Sequence, residues 1–402
     1  MQKPIASRLS KLVTGLMVSV VLLALCSAGA RAEPMPVRVG LDAEFGLDNS
    51  TSAQAVELGL RTAIAEINRA GGVLKGRPVE LVTKDHRSIP ARGIRNIEEF
   101  ARMRDLVAVF GGRFSPVVIE ELPTLKATRT LFLVPWSSAD AIIDNDMQPN
   151  YVYRLSLRDS LAMPKLLQTA HKRGLDRVGL LLTNTSWGRS NLAAAEKHAA
   201  ANKHITIVQT AWYNWRDQTL VAKYKALRSA GAQAIVLVAN DDEAAVLVRE
   251  VAALPASEQV PILSHWGVTG GEFTRQAGPA LNKVDFSVIQ TFSFFRADQQ
   301  QLARFMRSVA AVSPVRRIED IRGPVGVAHA YDLMHILAKA IDRAGSTDRK
   351  AVRDALEKLG PYRGLVKHYA PPFTPSRHEA LSARELLIAR YRADGVLVPA
   401  DD

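Results

Sequence analysis

The chain has one cysteine in 402 residues, Cys26, and only 6% aromatic residues. Beyond residue 26 no thiol exists, which excludes structural disulfides, zinc–thiolate sites and cysteine nucleophiles from the body of the protein. Enzymatic signatures are missing as well. There is no Walker sequence, no Gly-x-Gly-x-x-Gly after the first strand, no Gly-x-Ser-x-Gly elbow and no His-Glu-x-x-His pair. His86 lacks acids or histidines at ligand spacing, so no metal and no cofactor is expected. The formal charge is +12, but Lys and Arg are interspersed with acids rather than blocked together. A solvated basic surface accounts for this pattern, and no nucleic-acid partner is expected.

A single long apolar run is present, Leu12 to Leu25. Lys3, Arg8 and Lys11 precede it with no acid, and Ala30-Arg31-Ala32 follows it. A charged start, an apolar middle shorter than the ~20 residues of a spanning helix and an A-x-A end predict a secretory signal peptide over 1–32. Leu25 stands where a lipoprotein signal carries a small residue before its cysteine, so cleavage after Ala32 removes Cys26. The mature chain is then expected to carry no anchor and to be long enough for two domains.

Short apolar runs recur with amphipathic stretches between them. Val37–Leu41, Val79–Thr83, the run from Val107 and the run from Leu131 read as strands, with helices from about 53 to 67 and 91 to 103 in between. Ser50, Thr51 and Ser52 offer hydroxyls to cap the first helix, and Gly71-Gly72 ends it. This alternation predicts an α/β fold with a parallel, doubly wound sheet. A second run of the same rhythm, with strands at 177–182, 205–209, 234–238 and 261–263, predicts a second such lobe. Asp285–Thr291 reads as an extended crossing segment, and Ala393-Asp394-Gly395 as a hairpin turn. In open α/β sheets ligands sit at the carboxyl ends of strands. Two strands in succession end in Gly, hydroxyl and aromatic residues, at Gly111-Gly-Arg-Phe-Ser115 and at Pro135-Trp-Ser-Ser138.

Five stretches together resemble the type I periplasmic substrate-binding proteins of ABC importers, in the leucine/isoleucine/valine- and amide-binding branch. They are Gly59–Gly72 with Gly76-Arg-Pro-Val-Glu-Leu81 and Asp85; Val109-Phe-Gly111 with Ser115; Val134-Pro-Trp-Ser-Ser138; Asn184-Thr-Ser-Trp-Gly188; and Ala328-His-Ala-Tyr-Asp332. The resemblance covers nearly all of the mature chain. It implies two lobes (33–154 and 155–290), a return mainly to the first lobe with a C-terminal hairpin over 291–402, a multi-segment hinge, and closure on a ligand.

The resemblance also implies which residues grip the ligand. Ser115, or its immediate neighbour, with Ser137 and Ser138 matches the carboxylate-binding hydroxyls, and Trp187 matches an aromatic that covers the ligand from the second lobe. Arg113 is an addition to the family pattern and either pairs an anion or points to solvent; Trp136 either lines the cleft or packs in the core. The acid expected to bind a ligand ammonium is absent, with His265 and Trp266 in its place; Asp241 or Asp242 substitutes for it or caps a helix. Glu44 and Phe45 are candidates from the first loop, which is not the Gly- and Pro-rich loop of the family. The expected function is a periplasmic, monomeric, non-enzymatic receptor that hands a small amino-acid-like or carboxylate ligand to a membrane permease. The second reading is a sensor or accessory module of the same fold.

Overall fold

The computed structural model describes residues 35–47 and 50–400. The predicted signal peptide, with Cys26, and the loop residues Asp48 and Asn49 lie outside the described residues.

β1 (Val37–Ala43), β2 (Val79–Asp85), β3 (Leu106–Gly111), β4 (Leu131–Val134) and β5 (Val152–Arg154) form the first sheet, in the order β2-β1-β3-β4-β5. All neighbours are parallel. β3 and β4 are buried along their whole length, as continuous apolar runs require when helices cover both faces. The first helix, Thr51–Arg69, packs on the long helix Pro324–Ala344. Gly59 makes that approach possible: a Cβ there would lie 2.2 Å from the Val327 carbonyl oxygen.

β6 (Arg177–Thr183), β7 (Thr206–Tyr213), β8 (Ala234–Val238), β9 (Ile262–Ser264) and β10 (Phe286–Gln290) form the parallel part of a second sheet. Asp285–Thr291 is therefore mostly a regular strand rather than a crossing segment. After a short ladder of β11 (Tyr362–Arg363) with β12 (His368–Tyr369), the hairpin β13 (Leu387–Tyr391) and β14 (Leu397–Pro399) adds to β10 antiparallel. The full order is β14-β13-β10-β9-β8-β6-β7. The expected pair of α/β lobes is present, and the second carries an antiparallel edge.

The chain passes between the sheets three times: after β5, after β10, and before β13. The third pass runs beside the first, with Arg154 N–H donating to His378 O at 2.8 Å and Ala380 N–H to Arg154 O at 2.9 Å. Among the described residues no helix is long and apolar enough to cross a membrane.

Candidate functional site

The ends of β3 and β4 meet in one wall. Ser115 opens the helix Ser115–Thr128, and its Oγ accepts the N–H groups of Ser138 and Ala139, each at 3.2 Å. The Ser137 hydroxyl donates to the Gly112 carbonyl at 2.8 Å. Behind the loop, the carbonyls of five consecutive residues are occupied. Pro135 O accepts from His329 Nδ1 (2.9 Å), Trp136 O from Ser156 Oγ (2.6 Å) and Ser138 O from Asp159 N–H (3.0 Å). Ala139 O accepts from Arg154 Nη1 at 2.8 Å, and Ser137 O from the same nitrogen at 3.4 Å. Arg154 is fully buried and its Nε binds Glu379 at 2.9 Å. Burial pushes the His329 imidazole down to about 4, so it is neutral and receives the Thr291 hydroxyl on Nε2 at 3.0 Å.

The opposite wall is aromatic. Trp187 lies in the first turn of Ser186–Ala201, whose N-cap Thr185 accepts from Gly188 N–H at 3.4 Å. Gly188 is required there, since a Cβ would sit 1.8 Å from Thr183 O. The Trp187 indole N–H reaches across to Ser138 Oγ at 3.0 Å. Trp215 follows β7 and meets Phe114 edge-on, with ring centres 5.4 Å apart. The turn that presents it holds Arg216 in the left-handed region, φ 70°, with its N–H on Glu243 Oε1 at 2.8 Å. Trp266 follows β9 and faces Trp136 at 5.9 Å. His265 backs these rings: its Nδ1 accepts from Trp266 N–H at 3.0 Å, its Nε2 donates to Asp159 Oδ1 at 3.1 Å, and its edge meets Trp187.

Arg113 joins the walls. Its side chain is 7% exposed, and Nη1 pairs with Asp241 Oδ1 of the second lobe at 3.0 Å. Solvent exposure, the other reading of Arg113, is thereby ruled out. The second Asp241 oxygen accepts from Glu272 N–H at 3.2 Å, so this acid is an inter-lobe partner and not a side-chain cap of its own helix. Burial raises the Asp241 carboxyl and the Arg113 charge opposes that rise.

Glu44 lies behind Arg113 with no exposure, accepting from the Ser52 hydroxyl and from Arg113 N–H. Ser50 is spent on the Glu44 carbonyl, so the expected hydroxyl cap of the first helix does not form. His86 Nε2 stands 3.8 Å from Glu44, and burial lowers its basicity against the pull of that carboxylate.

These walls enclose a cavity of ≈ 10 Å³, room for about one water. Arg113, Phe114, Ser115, Trp136 and Ser138 line it from the first lobe; Trp187, Trp215, Asn240 and Trp266 line it from the second. Of the candidate residues, Arg113, Ser115, Ser138, Trp136 and Trp187 come together here. Five others do not line it: Ser137 is turned onto a carbonyl, Glu44 and Asp241 are held behind Arg113, His265 supports the indoles, and Phe45 packs on the core. Phe114, Trp215 and Asn240 were not among the candidates. An aromatic just past a strand end, as in Tyr213-Asn-Trp215, was the available signal. A groove of ≈ 680 Å³ lies elsewhere between the lobes, near the hinge. Its charges are largely mutual partners, Glu272 with Arg275 and Arg322, and Asp394 with Arg392, and none of the unpartnered buried polar atoms lines it. Among the described residues no cluster of His, Asp and Glu could hold a metal.

The sequence matches the family described as periplasmic binding protein over residues 36–395. It is 22% identical to the Leu/Ile/Val-binding protein homolog 2 of Brucella abortus, over 82% of this chain and 84% of that protein. The fold is shared with a type 1 periplasmic binding protein of Bordetella pertussis Tohama I, at a TM-score of 0.80 and 21% identity, over 91% of this chain and 100% of that one. It is also shared with an R. palustris ABC-transporter solute-binding protein in complex with benzoate, at a TM-score of 0.73 and 17% identity, over 90% of this chain and 95% of that one.

Proposed function

The chain belongs to the periplasmic binding protein family, and from that premise we propose that it is the periplasmic solute receptor of an ABC importer. It is exported through the leader at 1–32, closes its lobes on a small amino-acid-like or carboxylate ligand, and delivers the ligand to a membrane permease. The observation that carries this reading is the cavity itself, walled by hydroxyls and a guanidinium on one lobe and by indoles on the other. Such a two-sided wall is assembled only when the lobes are together, so a ligand touching both contributes free energy to the closed state alone. The three chain passages between the sheets form the hinge. The relatives whose names specify a solute, Leu/Ile/Val in one case and benzoate in another, support a carboxylate-bearing ligand.

Four of the five tryptophans line the cavity, so intrinsic fluorescence is a direct readout. Titration of the mature protein with amino acids, amides, carboxylates and aromatic acids should give a saturable fluorescence change and a matching upward thermal shift for at least one class. A flat response to all of them, with no small molecule co-purifying by mass spectrometry, overturns the receptor reading.

A further inference from the structure

The polar atoms left without partners define the ligand more narrowly. Among the described residues, three of those that line the small cavity carry a buried side-chain nitrogen with no hydrogen-bond partner in the protein: Arg113 Nε, Trp136 Nε1 and Trp215 Nε1. All three are donors. Glu44 Oε1 stands 3.9 Å from Arg113 Nε, beyond bonding reach. The Ser115 and Ser138 oxygens already accept N–H groups, so the hydrogens of these hydroxyls remain to be donated. Among the described residues, the one side-chain amide in the wall, Asn240, offers an acceptor as well as donors, and no carboxylate lines the cavity. A buried donor without a partner is costly, and a wall whose residues carry five such donors and no carboxylate suits a group rich in acceptors.

Among the described residues no acid lines the cavity to hold an ammonium. Asp241 is divided between Arg113 and Glu272 N–H, and it is pressed so closely on Gly271 that a Cβ there would lie 1.8 Å from its oxygen. Asp159 is taken by His265 on one oxygen and is not in the cavity wall. A zwitterion would bring a buried positive charge to a wall that already holds the Arg113 guanidinium and has no acid to pair it. The rest of the wall is flat and aromatic: Trp136, Trp187, Trp215, Trp266 and Phe114. Indole faces accept a planar ring as the lobes close.

Resting on the receptor reading, we propose that the cleft selects an aromatic carboxylate without an α-ammonium group. The carboxylate is held by Arg113, the two serine hydroxyls and the indole N–H groups, and its ring by the second-lobe tryptophans. The absence of a free acid in the wall is the element that rejects amino acids.

A matched pair of probes tests this. 3-Phenylpropanoate and L-phenylalanine share the ring, the chain and the carboxylate and differ by the ammonium. By calorimetric titration the mature protein should bind 3-phenylpropanoate about 100-fold more tightly, the penalty of an unpaired buried charge. Asp241→Asn should tighten 3-phenylpropanoate several-fold, roughly as expected when a competing anion is removed from Arg113. Equal or tighter binding of phenylalanine or leucine overturns the proposal and leaves the receptor reading standing, as does weaker 3-phenylpropanoate binding in Asp241→Asn. If neither probe binds, the solute found by mass spectrometry in the purified protein decides. One bearing an ammonium, or lacking a carboxylate or a ring, overturns the ligand class alone, and the absence of any binding solute overturns both readings.

Discussion

In the first lobe the side chains of the cleft wall stand on a loop whose backbone is bonded from behind. Five carbonyls from Pro135 to Ala139 accept from His329, Ser156, Arg154 and Asp159, and the N–H groups of Ser138 and Ala139 go to Ser115. In the second lobe the wall is side chain, three indoles standing on turns and held by few directed bonds. A loop bonded at every carbonyl cannot shift one residue at a time, because each displaced group leaves a buried partner unpaired. Indoles on turns can rotate about χ1 and χ2 at the cost of contacts alone. The comparison teaches that the first wall is fixed and the second can adjust; under the proposed receptor function the first positions a ligand's charge and the second adapts to its shape.

The difference can be broken most directly at its support. Arg154→Ala removes the donor to Ser137 and Ala139 and leaves Glu379 only the Arg158 guanidinium at 3.6 Å; the loss should be ~3 kcal/mol in urea unfolding. A loss under ~1 kcal/mol would show that the first wall is not held from behind.

An intermediate effect comes from a buried pair that has no second-lobe counterpart in the cleft. Asp42, beneath the first wall, accepts from Asn96 at 2.7 Å and lies against Glu121; burial raises both carboxyls, Asp42 to about 8. The folded chain then keeps a proton that the unfolded chain releases near its ordinary carboxylate value. Stability from this source is full below that value and is lost as pH rises toward 8. Urea midpoints should therefore fall between pH 5 and pH 8.5, by a contribution on the order of 2 kcal/mol, and Glu121→Gln should flatten the slope. A midpoint that rises over this range in wild type and variant alike contradicts the pair.

The smallest effects sharpen the contrast within the second wall. Trp187→Phe removes an indole bonded to Ser138 and should cost about 1 kcal/mol of stability. Trp215→Phe removes an indole N–H that has no partner and should change stability by no more than ~0.5 kcal/mol. Equal losses would mean that packing, not the hydrogen bond, holds both rings.

Much of the fold was legible in the residues. The four-residue apolar run at β4 and the full-length burial of β3 follow from composition alone, and Gly71-Gly72 mark a helix end. β10 was misplaced because a strand leading straight into a crossing segment has the same apolar pattern as the crossing itself. The site was legible in half. Ser115, Ser138 and Trp187 sit at strand ends where topology alone sends ligands. Ser137 was not separable from Ser138, because adjacent hydroxyls differ only in which way the turn points them. Trp215 was missed because its placement depends on a left-handed residue after it.

What the sequence determined by itself is local: periodicity sets strands and helices, and short connections set their parallel order, because both depend on neighbours a few residues apart. What only the tertiary structure decided is which charges are spent. Arg113 and Asp241 are 128 positions apart, and Glu44, Arg154 and His265 likewise find partners from other elements. No pattern along the chain encodes these pairings, since they arise only when separate elements pack together and desolvate the groups between them.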